Sequence, residues 1–195
     1  MSALYLNSLL ESLILTDYTE YLEKVGEAYL ARPVVEEQYV SSWMILIAHI
    51  EKLFEQIKNS IEFTEDDPYE SSVSMIKDYK TTGKMKIFTG ASEHPVWTPE
   101  QNWRFRAVHD WYGHLLGAKS GGHTFSRRGE LNTYNRHAKM APPKARLALF
   151  TEIVGQLGAY YNAGANAEQK VTKLWGFDYD KVGAIDLQEY ERNFK

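Results

Sequence analysis

Between Asp17 and Ala31 the apolar positions fall at Tyr18, Tyr21, Leu22, Val25, Ala28 and Tyr29, the three- and four-residue spacing of an amphipathic helix. Asp17 or Thr16 supplies an N-cap and Pro33 ends the run. A longer pattern over residues 36–62, through Val40, Trp43, Met44, Ile47, Ile50, Leu53, Phe54, Ile57 and Ile61, predicts a second helix, opened by Glu36 and Glu37 and broken by the acidic stretch Glu62–Pro68. A short helix follows around Glu70–Tyr79, closed by Gly83, and the alternation in residues 84–89 predicts one short strand. Thr98-Pro99-Glu100 reads as an N-cap with proline at the first helical position, so a helix runs from Pro99 to about Leu116. Helices over about 129–139 and 144–163 are expected after the glycine-bearing loop 118–129.

This pattern predicts a mostly α, single-domain helical metal-binding fold over residues 1–195, with at most a short strand or hairpin. Residues 1–83 form its N-terminal helical part, 84–163 the metal-site core and 164–195 a C-terminal segment wrapping that core. Its 195 residues are 44% hydrophobic and 25% charged, enough apolar surface to offset chain entropy. The net charge of −4 argues against general nucleic-acid binding. Met1–Leu15 contains no Lys or Arg, so no leader n-region is read there. The longest strongly apolar stretch, Trp43–Ile50, falls far short of the roughly twenty residues of a membrane span. A cytoplasmic protein without a membrane partner, acting on a small molecule, is the expectation.

Cysteine is absent, which excludes disulfides, thiolate metal sites and cysteine nucleophiles. Any transition metal must be held by nitrogen and oxygen. Five of the six histidines fall between residues 94 and 137. His109 and His114, five residues apart, sit about 140° apart on an ideal α-helix and converge only if the helix bends, loosens or ends between them, which Gly113 permits. The spacing differs from His-Glu-x-x-His, which disfavours a zincin protease. Asp110 shares a face with His114, and Glu130 shares one with His137. Glu152 interrupts an apolar helix, where a carboxylate is costly unless paired, protonated or metal-bound. Two histidines and one carboxylate leave open positions on a metal, the facial arrangement of non-haem Fe(II).

Pro95-Val-Trp-Thr98-Pro99-Glu100, then His109-Asp-Trp-Tyr-Gly-His114, then Phe150-Thr151-Glu152 resembles the core of the tetrahydropterin-dependent aromatic amino acid hydroxylases over roughly residues 88–160. The resemblance implies His109, His114 and Glu152 as metal ligands, Asp110 as a pterin contact, Fe(II) and a tetrahydropterin as cofactors, and an aromatic substrate. It departs from the family in three ways. The substrate-gripping arginine falls on Gly90, four extra residues separate Thr98 from His109, and the chain is shorter than the family's core. The run from Phe105 to His114 also resembles one in bacteriophage proteins.

Three functions are therefore expected in turn: an iron-dependent hydroxylase-like monooxygenase, a zinc- or manganese-dependent hydrolase with one or two ions, or a non-enzymatic phage or accessory protein braced by its His–Glu cluster. Asp110, Glu130 and His137 are the candidate catalytic groups. Against these stand plainer readings. His109 and His114 would be a hydrogen-bonded core pair, and Glu152 a salt-bridge partner of Arg104, Arg106 or Arg146. Asp110 would orient His114. Glu130 and His137 would be ligands of a second ion, supporting groups behind the first, or surface residues. His94 and His123 read as loop background, Arg127 and Arg128 as a solvated face or an anion site, and the aromatics as core.

Overall fold

The computed structural model describes residues 12–14, 17–120 and 124–194. The reading of Met1–Leu15 lies largely outside these residues, and Thr16 and His123 wholly so. The first helix, α1 (Tyr18–Ala31), is capped by Asp17, whose carboxylate accepts from the Thr19 N–H at 2.8 Å. It buries Tyr21, Leu22, Val25, Ala28 and Tyr29, and its chain turns extended at Arg32, the residue before Pro33. Helix α2 (Val40–Ile57) buries Trp43, Leu46, Ile47, Ile50 and Phe54. Helix α3 (Ser72–Thr82) opens on a Ser71–Ser74 capping box and closes on Gly83 at φ 70°. Helix α4 (Pro99–Val108) opens on a Thr98–Gln101 capping box. Helix α5 spans Arg127–Met140; α6 (Arg146–Phe150) and α7 (Gln156–Ala163) follow, and α8 is Leu187–Phe194.

The mostly helical class holds, and the strands exceed the single one expected. The second pattern does not run as helix to residue 62. It leaves α2 at Ile57 through one tight turn, Lys58–Ser60, and Ile61–Thr64 becomes strand β2. This strand pairs in parallel with β3 (Met85–Phe88), Ile61 opposite Met85, so that α3 is the crossover of a β-α-β unit. A backbone pairing of Ser12–Ile14 (β1) with Ala184–Asp186 (β4) is antiparallel. No helix among the described residues is long and apolar enough to cross a membrane.

One buried cluster runs from Tyr21 to Tyr190, with Trp43, Tyr134 and Phe150 among its largest members. Helix α1 lies along α7 and α2 against α4. The first crossing is tight: a Cβ on Gly26 would stand 2.4 Å from the Gly158 carbonyl oxygen, and one on Gly158 2.7 Å from the Gly26 nitrogen. The segment after α7 threads back past the end of α1. There Lys170 donates to the Leu30 and Arg32 carbonyls, and Val171 exchanges backbone hydrogen bonds with Val34 and Glu36, both at 2.8 Å.

Candidate metal centre

Helix α4 does not continue as an α-helix through the histidines. Residues His109–Leu115 form a π-helical segment, in which hydrogen bonds run from i to i+5 and residues five apart lie one above the other. This is the loosening that the His109–His114 spacing requires. The segment lies against α5, and Gly113 makes the approach possible: a Cβ there would stand 2.1 Å from the Thr133 methyl carbon. Arg136 of α5 donates to the Gly113 carbonyl.

The carboxylate that meets the two imidazoles is Glu130, in the first turn of α5 beside the positive helix terminus. His109 Nε2 lies 3.2 Å from Glu130 Oε2, His114 Nε2 3.2 Å from Glu130 Oε1, and the two ring nitrogens 3.2 Å from each other. His114 is buried under the edge of Phe125, whereas His109 and Glu130 keep side-chain exposures of 16% and 15%. Burial alone would raise the Glu130 carboxyl, yet hydrogen bonds and charge from both histidines bring it down to about 2. Burial raises Asp110 above its ordinary value, against the opposing pull of His109, His114 and Arg106. His137 stacks on His109 at 5.6 Å and donates from Nε2 to the His109 carbonyl at 3.4 Å. Burial and the neighbouring histidines and Arg136 push its imidazole down to about 3, so it is a neutral prop behind His109.

Glu152 stands apart from this cluster. It sits on a second π-helical segment, Thr151–Gly155, between α6 and α7. Its Oε1 accepts from Trp43 Nε1 at 2.6 Å and from His94 Nε2 at 3.1 Å, and its Oε2 accepts from Gln156 Nε2 at 2.6 Å. The His94 tautomer follows from its other nitrogen: Nδ1 accepts the Val96 and Trp97 N–H groups at 3.1 Å, so the proton is on Nε2. The ring also stacks on Trp97. The three arginines weighed as partners for Glu152 are engaged elsewhere, Arg104 with Glu51, Arg106 with backbone carbonyls and Arg146 with Asp180.

Sequence reasoning thus placed His109, His114, Asp110 and Glu130 in one site, and the structure brings these four together. It separates Glu152 from the histidine pair and sets His137 behind it. Two participants were missed, His94 as loop background and Trp43 as plain core. The usable signal was Trp43 itself, since a buried indole N–H needs an acceptor.

His109, Asp110, Glu130 and Glu152 all line one cavity of about 700 Å³, with Ile87, Phe88, Phe105, Ile153 and Leu157 among its apolar walls. That volume lies within the range of about 300–1,000 Å³ typical of small-molecule sites. The triad's spacing fits a metal ion. With bonds of about 2.1 Å, neighbouring ligand atoms stand about 3.0 Å apart in an octahedron and about 3.4 Å apart in a tetrahedron. Compared with known protein families, curated proteins and solved structures, the chain matches none.

Proposed function

We propose that the protein is a mononuclear non-haem Fe(II) enzyme of the hydroxylase type, acting on a small organic substrate held in the cavity. The observation that carries this reading is the mutual 3.2 Å convergence of two imidazole nitrogens and a carboxylate on the wall of that cavity. Glu130, rather than Glu152, is the carboxylate of the proposed triad. A bound Fe(II) would supply activation of dioxygen, one oxygen atom entering the substrate and the other leaving as water, with two electrons from a reductant such as a tetrahydropterin.

The chain's own residues have separable tasks. His109, His114 and Glu130 hold three positions on one side, and the π-helical segment fixes the two imidazoles relative to one another. His137 holds the His109 backbone and ring from behind. Phe105 and Ile153 give the cavity apolar walls, and Asp110 faces it as an acidic group able to take or give a proton. The hydrolase alternative would use zinc or manganese, and its two-ion form would need His137 as a ligand. His137 has its Nε2–H committed to a carbonyl, which favours a single ion.

Metal analysis of protein purified without chelator tests the reading. One iron per chain, with oxygen consumption on adding a tetrahydropterin, is expected, together with loss of iron in Glu130→Ala. A pair of zinc or manganese ions, or no metal at all, would overturn it.

A further inference from the structure

The cavity carries a charge pattern that the metal triad does not require. Five carboxylates line it, from Glu93, Asp110, Glu130, Glu152 and Glu168, against the single guanidinium of Arg106. That guanidinium is committed to the carbonyls of Phe88, Gly90 and Ala91. A divalent ion on the triad would offset Glu130 and leave the walls net negative. Glu152 is built into its wall as an acceptor, each of its three partners being an N–H donor.

Asp110 is different. It is only partly buried, it lines the cavity, and its carboxylate forms no hydrogen bond or ion pair with any described residue. A carboxylate open to the cavity and uncommitted to the protein is available to donors on a ligand. An ammonium group brings three N–H donors and the opposite charge, and its carbon skeleton suits the Ile87, Phe88, Phe105, Ile153 and Leu157 walls. A carboxylate or phosphate ligand would meet mostly like charge on these walls, which disfavours it.

We propose that the cavity selects a small organic cation, a primary amine on an apolar body, with its ammonium group held by Asp110 in the field of Glu152. This rests on the metal-centre reading, since amine and metal share one cavity, and it names the substrate class of that site.

Phenethylamine and 3-phenylpropionate are matched probes, nearly equal in shape and opposite in charge. Isothermal titration of the full chain, with and without Zn²⁺ as a redox-inert ion, should give at least about tenfold tighter binding of the amine. Asp110→Asn should remove most of that preference. Glu152→Gln, which keeps acceptor and shape, should weaken amine binding about severalfold without changing metal stoichiometry. Equal binding of the two probes by the unaltered protein, binding of neither, or amine affinity indifferent to both substitutions would overturn the inference. Metal content measured on the same samples separates the two failures. Metal uptake without amine preference sinks this proposal alone, and amine preference in a chain that takes up no metal sinks the metal centre.

Discussion

The indole nitrogen of Trp43 lies 2.6 Å from Glu152 Oε1, joining the middle of α2 to a carboxylate 109 residues away with both groups buried. A core helix and a cavity wall therefore share one hydrogen bond. Trp43→Phe keeps most of the ring's packing and removes the donor. It should destabilise the fold by about 1–3 kcal/mol, the range for a buried polar group losing a partner. Urea unfolding measures this, and a change under about 0.5 kcal/mol would mean that His94 and Gln156 suffice.

The two candidate carboxylates make opposite forecasts for metal uptake. Glu130→Ala should abolish it, and Glu152→Gln should leave the stoichiometry unchanged, because only the Glu130 oxygens lie at 3.2 Å from both ring nitrogens. Elemental analysis of the two variants side by side decides the matter, and the reverse result would restore Glu152 as the ligand.

The π-helical segment depends on the contact between Gly113 and Thr133. Gly113→Ala places a methyl 2.1 Å from Thr133 Cγ2, so the histidine segment must move off α5. A loss of about 1–3 kcal/mol is expected for such overpacking, with weaker metal binding. Thr133→Ser removes the clashing methyl, and the double variant should recover part of both losses. Additive losses in the thermal melts would refute the coupling.

Acid sensitivity should come in part from Glu36. Partial burial would raise its carboxyl, but hydrogen bonds from Arg32 and Thr172, the Arg32 charge and the Lys173 N–H outweigh this and hold it below the ordinary value of 4.5. A carboxyl lowered on folding stabilises the fold above its unfolded pKa, and that stability fades as pH falls through the folded value. The melting temperature of Glu36→Gln should therefore fall less steeply than that of the unaltered chain as pH drops below about 4.5. Parallel curves would exclude Glu36 as a contributor.

The helices were legible because their signals are local. Asp17, Thr98 and Gly83 stand where caps are needed, and each is used. Strand β2 was hidden because Ile61 continues the apolar spacing of α2, while the partner that makes it a strand lies beyond α3. At the site, the residue count between His109 and His114 announced that an ordinary α-helix would not serve, though not what would replace it. The choice between Glu130 and Glu152 depends on how α5 and the α6–α7 rod pack about the histidines, and no spacing within either helix carries that distance. His94 was unreadable for the same reason, its acceptor being 58 residues away.

The crossing of α1 and α7 bears on which walls of the cavity can change. At Gly26 and Gly158 the two backbones meet without intervening side chains, so the rod bearing Glu152 has no slack toward α1. The histidine wall is pinned in the same way by Gly113 on Thr133. The rest of the lining includes loop residues within 90–93 and 166–169, where Ala91 holds a left-handed φ of 47°. The cavity thus joins loop walls to close-packed helical ones, so its lining can change in the loops while the geometry of the centre stays in place.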